Sequence, residues 1–306
     1  MRIVSLLPSA TDMVVALGLT DRLVAVSHEC SLPRAAGDLP RVTASRLPEG
    51  LDPAAIDDAV KSAAAEGRPL YQVDGAQIAG LAPDLVLTQG LCEVCAVTET
   101  QVGQALRRLP DHLPEAVQVL SLSGMTVAGI QADIRAVADA ACAPERAGQL
   151  IDGMNHRWRK LIEGATAEVP RIVVLEWTDP VFIGGHWVPE MITAAGGVDA
   201  MGTPGAPSRR SDWSEVAEAD PDIIVVAACG YGRPENTSLA LRMLNHPVAG
   251  ELRAVKEGRL WAVDANAHFS RPGPGVIRGD EVLAAIARNE PEAVDPLEAV
   301  RISADG

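Results

Sequence analysis

Arg2-Ile3-Val4-Ser5-Leu6 opens the chain, and Arg171-Ile172-Val173-Val174-Leu175 repeats it in the second half. Each is a short apolar run rich in β-branched residues, the composition of a strand buried on both faces. The stretches after these runs repeat as well. Met13-Val14-Val15-Ala16-Leu17-Gly18 echoes Met191-Ile192-Thr193-Ala194-Ala195-Gly196, in each case a helix closed by glycine. Pro83-Asp84-Leu85-Val86-Leu87 echoes Pro221-Asp222-Ile223-Ile224-Val225, a turn feeding another buried strand. Strands alternating with helical stretches predict βαβ units and parallel sheets, hence an α/β fold. Two such series in the same order predict a duplicated lobe.

The echo sets the domain boundaries. The first lobe takes residues 1–143 and the second 167–289. The first has about 40 more residues between Gly18 and Pro83 than the second has between Gly196 and Pro221. This insertion, over 34–72, holds an Ala-rich helix from Asp52 to Glu66 with Pro53 in its first turn. A helical stretch from Thr126 to Ala165 is interrupted at Pro144, where a fresh helix begins. Residues 144–166 then form a connecting helix, long enough to bridge two lobes. Capping boxes are expected at Ser9 with Asp12, Thr98 with Gln101 and Asp212 with Glu215. Residues 290–306 are polar and acidic with Pro291 and Pro296, the composition of a flexible tail.

Composition narrows the function. The net charge of −15 carries no basic footprint for nucleic acid or an anionic membrane. No stretch approaches the ~20 apolar residues of a membrane span. Five cysteines are an odd number, unlike a secreted disulfide framework. The first apolar run is too short for a leader. A cytoplasmic protein with reduced thiols is the resulting expectation. Gly273-Pro274-Gly275 has neither a Walker lysine nor a G-x-G-x-x-G spacing, and neither a Gly-x-Ser-x-Gly nor a zincin histidine pair occurs. An enzyme with its own catalytic residues is therefore not expected.

In parallel sheets, ligands bind beyond the carboxyl ends of the strands. Four of the five cysteines, three of the six histidines and four of the nine aromatics fall there, although aromatics are only 3% of the chain. The ligand-binding candidates are Ser9, His28, Gln89, Glu176, Trp177, His186, Trp187, Arg209, Tyr231, His268 and Phe269. His186-Trp187 and His268-Phe269 pair an imidazole with an aromatic face, which suits a large flat ligand. Arg209 offers a fork for an anionic group. His28, Cys30, Cys92 and Cys95 form a candidate soft-metal set for zinc or iron. Against it stands the ordinary reading of cysteine as a small packed hydrophobe.

Three stretches resemble one family: Arg2–Asp12 with Ala16-Leu17-Gly18-Leu19, Ala82-Pro83-Asp84-Leu85-Val86-Leu87, and Pro180–Gly185 with Ala194-Ala195-Gly196-Gly197. The family is that of the helical-backbone metal-chelate receptors, the cobalamin- and siderophore-binding components of ABC importers. The chain looks nearest to its cobalamin-binding members. The resemblance implies two Rossmann-like lobes on a connecting helix, the class III periplasmic-binding-protein plan. It implies cobalamin or a related metal chelate as ligand, held in the cleft between the lobes. It also implies docking on an ABC permease through one acidic residue per lobe. Glu215 fits the second of these positions, while Ala76 stands at the first. The alternative is a metal-ion-binding or chelatase-like protein using the Cys/His set, and a third reading is a sensor of ligand occupancy.

Overall fold

The computed structural model describes residues 1–48, 50–51, 53–66, 68–90, 117–164 and 169–303. The chain divides into two compact units. One comprises Met1–Gly124 and Ala128–Asp152, the other Met125–Val127 and Gly153–Gly306.

The first unit is built on a four-stranded parallel sheet. Its strands are β1 (Ile3–Ser5), β2 (Leu23–Val26), β5 (Leu85–Gln89) and β6 (Gln118–Leu122), in the order β2-β1-β5-β6. Ile3 and Val4 are fully buried, as are Leu85, Val86 and Leu87 beside them. Such continuous apolar runs are what a sheet covered on both faces demands. Ser5 is the polar exception in β1. Its hydroxyl donates to the Leu7 carbonyl at 3.0 Å and accepts from Thr11 at 2.8 Å, so nothing polar is left unpaired there. The helix Pro8–Ala16 comes next, with Leu7 as N-cap and no side-chain cap. The expected Ser9–Asp12 capping box is thus not formed, because Pro8 sets the first helical turn and places Ser9 inside it.

The insertion forms a small antiparallel pair, β3 (Thr43–Ser45) with β4 (Tyr71–Val73), around the helix Pro53–Ala65. The helices Val127–Ala140 and Pro144–Glu163 meet at Pro144, the second starting at that residue.

The second unit holds a seven-stranded mixed sheet. Its middle is parallel: β7 (Arg171–Thr178), β11 (Ile223–Val226) and β12 (Leu260–Val263). On one side β8 (Val181–Ile183) and β10 (Arg209–Arg210) add antiparallel, and the short β9 (Val198–Asp199) pairs with β7 in parallel. Only two residues separate β7 from β8, a connection that permits a hairpin and no crossover. Val173, Leu175, Ile224, Val226 and Leu260 form the centre of the core.

At the other edge lies a correction. β13 (Ala299–Ile302) pairs antiparallel with β12, so the segment expected to be a flexible tail contains a strand. Ala299 and Ile302 are buried, and Glu298 takes two bonds from the Arg278 guanidinium, at 2.8 and 2.6 Å. The edge of β12 presents a row of backbone groups that need partners, and this requirement outweighs the polar composition leading up to the strand.

Helix Val276–Ala287 lies against helix Val188–Ala194 and carries one group at odds with its surroundings. Asp280 is fully buried, and neither carboxyl oxygen has a hydrogen-bond partner among the described residues. Burial pushes its carboxyl well above the usual range, which favours the uncharged form. Among the described residues no helix is long and apolar enough to cross a membrane.

Both the added strand and the buried acid can be tested by stability. Ending the chain at Asp295 removes β13 and is expected to cost about 2–4 kcal/mol in urea melts, from lost ladder bonds and re-exposed apolar surface. Unchanged stability contradicts the role given to β13. For Asp280, a raised acid favours the folded state below the ordinary value of 3.8 and loses that advantage as pH rises above it. Asp280→Asn cannot ionise. Its stability relative to wild type should therefore increase from pH 4 to pH 8, and a pH-independent difference contradicts this account.

Candidate functional site

Several of the predicted side chains gather at the carboxyl end of β7. The strand leaves its buried stretch at Leu175 and presents Glu176 and Trp177, both half-buried. β8 then leads into Gly184-Gly185-His186-Trp187. A second loop, 205–208, is laced to this one. The His186 N–H donates to the Ala206 carbonyl at 2.6 Å, and the Gly205 N–H returns a bond to the His186 carbonyl at 2.9 Å. The approach is close enough that a Cβ on Gly185 would stand 2.5 Å from the Ser208 nitrogen and 2.6 Å from the Ala206 oxygen. Only glycine fits there. His186 itself has φ +55°, a conformation side chains rarely adopt, and the lacing holds it there.

The side chains form a connected group. Ser208 Oγ lies 3.4 Å from His186 Nδ1 and also bonds to the Glu176 carboxyl. The Gly185 N–H points to Glu176 Oε1 at 3.4 Å. Burial pushes the Glu176 carboxyl up, against the opposing pull of these two donors. Burial also draws the His186 imidazole below its ordinary value, which favours the uncharged ring. Trp177 meets Tyr231 edge-to-face, with ring centres 5.3 Å apart and planes at 69°. Tyr231 lies just after β11 and is fixed through Asn236. That buried amide accepts from the Ala228 N–H at 2.9 Å and donates to the Val263 carbonyl at 2.9 Å and the Tyr231 carbonyl at 3.3 Å.

Other candidates lie elsewhere or face inward. Trp187 and Phe269 are buried, and the Trp187 indole N–H donates to the Phe269 carbonyl at 3.0 Å. They pack the unit rather than offer open ring faces. His268 has its Nε2 3.3 Å from Glu298 Oε1, while its buried Nδ1 lacks a partner among the described residues. Burial draws its imidazole down, and Glu298 pulls the other way. Arg209 is exposed on β10 and donates to Glu215 at 2.8 Å. Glu215 also accepts from Ser211, and these bonds hold its carboxyl below the usual range. Asp212 caps the helix Trp213–Ala219 through the Ser214 and Glu215 N–H groups.

Three candidates sit in the first unit. Ser9 is buried in the first turn of its helix, and Gln89 ends β5. His28 has Nδ1 2.7 Å from the Thr43 hydroxyl. Of the soft-metal set, Cys92 and Cys95 lie outside the described residues, as do Thr98 and Gln101. Cys30 is buried with its sulfur 3.1 Å from Thr11 Oγ1, and burial pushes its thiol up, away from the thiolate a metal takes. Among the described residues no three His, Cys, Asp or Glu side chains converge on one point.

Two residues that organise the site are not among the sequence candidates. Ser208 stands in the sequence as the neighbour of Arg209, and its turn draws notice for the arginine. Asn236 lies inside a helix, and no local pattern marks it as the anchor of three backbone groups. The lacing of the two loops gives a direct check. Gly185→Ala should cost about 1–3 kcal/mol of stability in denaturant melts, since backbone atoms must move. Gly148→Ala, in open space on a helix, should be neutral or stabilising. Equal effects at the two positions contradict the reading.

Against known proteins, residues 3–267 match the family model described as periplasmic binding protein. No curated protein sequence matches. Among solved structures, a periplasmic heme-binding protein from Pseudomonas aeruginosa superposes with a TM-score of 0.69 at 21% identity, covering 99% of each chain. An ABC transporter substrate-binding protein from Listeria monocytogenes EGD-e gives 0.69 at 17% identity, over 94% of this chain and 98% of its own. The periplasmic vitamin B12 binding protein of Vibrio cholerae gives 0.61 at 20%, over 94% and 97%. At these identities the likeness is one of fold. The cytoplasmic expectation is corrected by the family match and by these periplasmic relatives in fold. Cysteine parity and an N-terminal apolar run are not properties of the folded binding unit, and they carry no weight against it.

Proposed function

This chain belongs to the periplasmic binding protein family, and on that premise we propose that it binds a flat metal chelate of the tetrapyrrole class, cobalamin or haem, and delivers it to an ABC permease. The family is one of binding proteins rather than enzymes, so the site needs affinity and orientation and no bond-making step. The observation that carries the proposal is the group at the end of β7. There the edge-to-face Trp177–Tyr231 pair shares one strand end with a half-buried imidazole whose burial favours the uncharged form. Aromatic side chains offer apolar area to a large ring system, and a neutral imidazole offers either a hydrogen bond or a donor atom to a metal. The similar structures described as binding heme and vitamin B12 support the same class of cargo. Glu215, exposed beside Arg209, is the residue we assign to permease docking.

Titration of the purified protein with ferric protoporphyrin IX, cyanocobalamin and a ferric hydroxamate siderophore tests the proposal. One of the two tetrapyrroles should bind with a micromolar or lower Kd, about −8 kcal/mol or better. Trp177→Ala should weaken that binding about tenfold. Binding of the siderophore alone, or of none of the three, contradicts the proposal.

A further inference from the structure

We propose that Asn236 is a positioning residue for the binding site: it holds Tyr231 against Trp177 in the ligand-free protein, so that the aromatic pair meets a flat ring system already formed. This rests on the tetrapyrrole reading for the ligand, and adds a residue that sets the affinity from inside the protein without touching the ligand.

Tyr231 stands in a turn that does not place it by itself. It lies between Gly230 and Gly232, and Gly230 has φ +79°. Glycine on both sides gives the backbone more freedom than any other neighbour would. Packing does not confine the turn there either, since a Cβ on Gly230 would meet no atom within 4 Å. The Tyr231 backbone is held by hydrogen bonds instead. Its N–H donates to the Ala228 carbonyl at 3.0 Å, and its carbonyl accepts from the Asn266 N–H at 3.0 Å and from Asn236 Nδ2 at 3.3 Å. Asn236 lies in the helix Arg233–Leu244 that follows the turn, and its side chain reaches back over it. Its Oδ1 accepts from the Ala228 N–H at 2.9 Å, and its Nδ2 also donates to the Val263 carbonyl at 2.9 Å. The amide thus joins both ends of the turn, Ala228 and Tyr231, to the end of β12. Its orientation is fixed by its partners, because a backbone N–H can only donate and the two carbonyls can only accept. A fully buried amide is costly unless it is paired, and each of its three side-chain bonds goes to a strand end or to the turn that carries Tyr231. The same turn is tied to β7, where the Cys229 N–H donates to the Glu176 carbonyl at 3.3 Å, next to Trp177. A binding wall ordered in advance escapes the cost of ordering it on association.

Backbone relaxation of protein labelled with nitrogen-15 tyrosine reads the hold without any ligand, because the chain has only two tyrosines, Tyr71 and Tyr231. In the wild type the Tyr231 amide should show an order parameter of about 0.85, that of rigid backbone. Asn236→Asp keeps the size and the bond from Ala228 but loses the donors to the two carbonyls. Asn236→Ser makes the same test without a charge, with one proton to donate in place of two. In each variant the Tyr231 value should fall toward about 0.6 while Tyr71 is unchanged. A flexible Tyr231 in the wild type, or a rigid one in both variants, overturns the proposal. The second readout is binding of ferric protoporphyrin IX or cyanocobalamin, whichever the wild type takes. Asn236→Ser should weaken it about three- to tenfold, the cost of ordering one large side chain on binding. In a Tyr231→Ala background the same substitution should change affinity by less than about twofold, while its loss of stability in urea persists. An equal loss of affinity in both backgrounds overturns the proposal and leaves the tetrapyrrole reading standing, because the effect then does not run through Tyr231. A wild-type protein that binds neither ligand removes the tetrapyrrole reading and Asn236's part in binding, while the relaxation data still decide whether Asn236 holds Tyr231.

Discussion

Burial of β7 between two neighbours is the constraint on which the second unit depends. Ile172, Val173, Val174 and Leu175 are almost without exposure, and each pairs with a residue of β11. A strand so placed cannot move without breaking ladders on both sides. The residues just beyond it therefore leave the sheet from a fixed point. Glu176 and Trp177 are those residues, and the hairpin to β8 returns the chain to Gly184 and Gly185 beside them. β1 plays the same part in the first unit, with β2 and β5 on its flanks and Leu7 capping the next helix.

Polar groups near these strand ends are satisfied in different ways, and the differences separate support from recognition. Ser5, Thr11 and Cys30 satisfy one another inside the first unit, which marks them as packing. Asn236 is spent on three backbone groups and fixes the end of β11 against β12. Trp187 spends its only polar atom on Phe269. The Glu176, Ser208 and His186 group differs, because its contacts tie the end of β7 to two loops through half-buried polar side chains. A rigid support beneath an adaptable polar tip is the arrangement a binding site requires.

Much of the fold was legible because its strands are short β-branched runs entered through Pro-Asp turns, and because Pro144 marks a helix start. Three features were not legible. β13 is four residues long and pairs with a strand far earlier in the chain, so nothing local in its acidic neighbourhood announces it. The direction of Trp187 and Phe269 depends on packing against each other, which position at a strand end does not encode. The mixed character of the second sheet depends on a two-residue link whose consequence is geometric. Within the site, Glu176, Trp177, His186 and Tyr231 could be found from their place after strands. Ser208 could not, because its role comes from a loop that meets His186 from 22 residues away in sequence.

The central claim is that the cargo is an intact tetrapyrrole chelate rather than a bare ion. Native mass spectrometry of protein isolated from its own host, with metal analysis of the same sample, tests this most directly. The account predicts one added mass of a corrinoid or porphyrin, with its metal in equal amount. Metal without an organic ligand, or a siderophore mass in place of a tetrapyrrole, would contradict it.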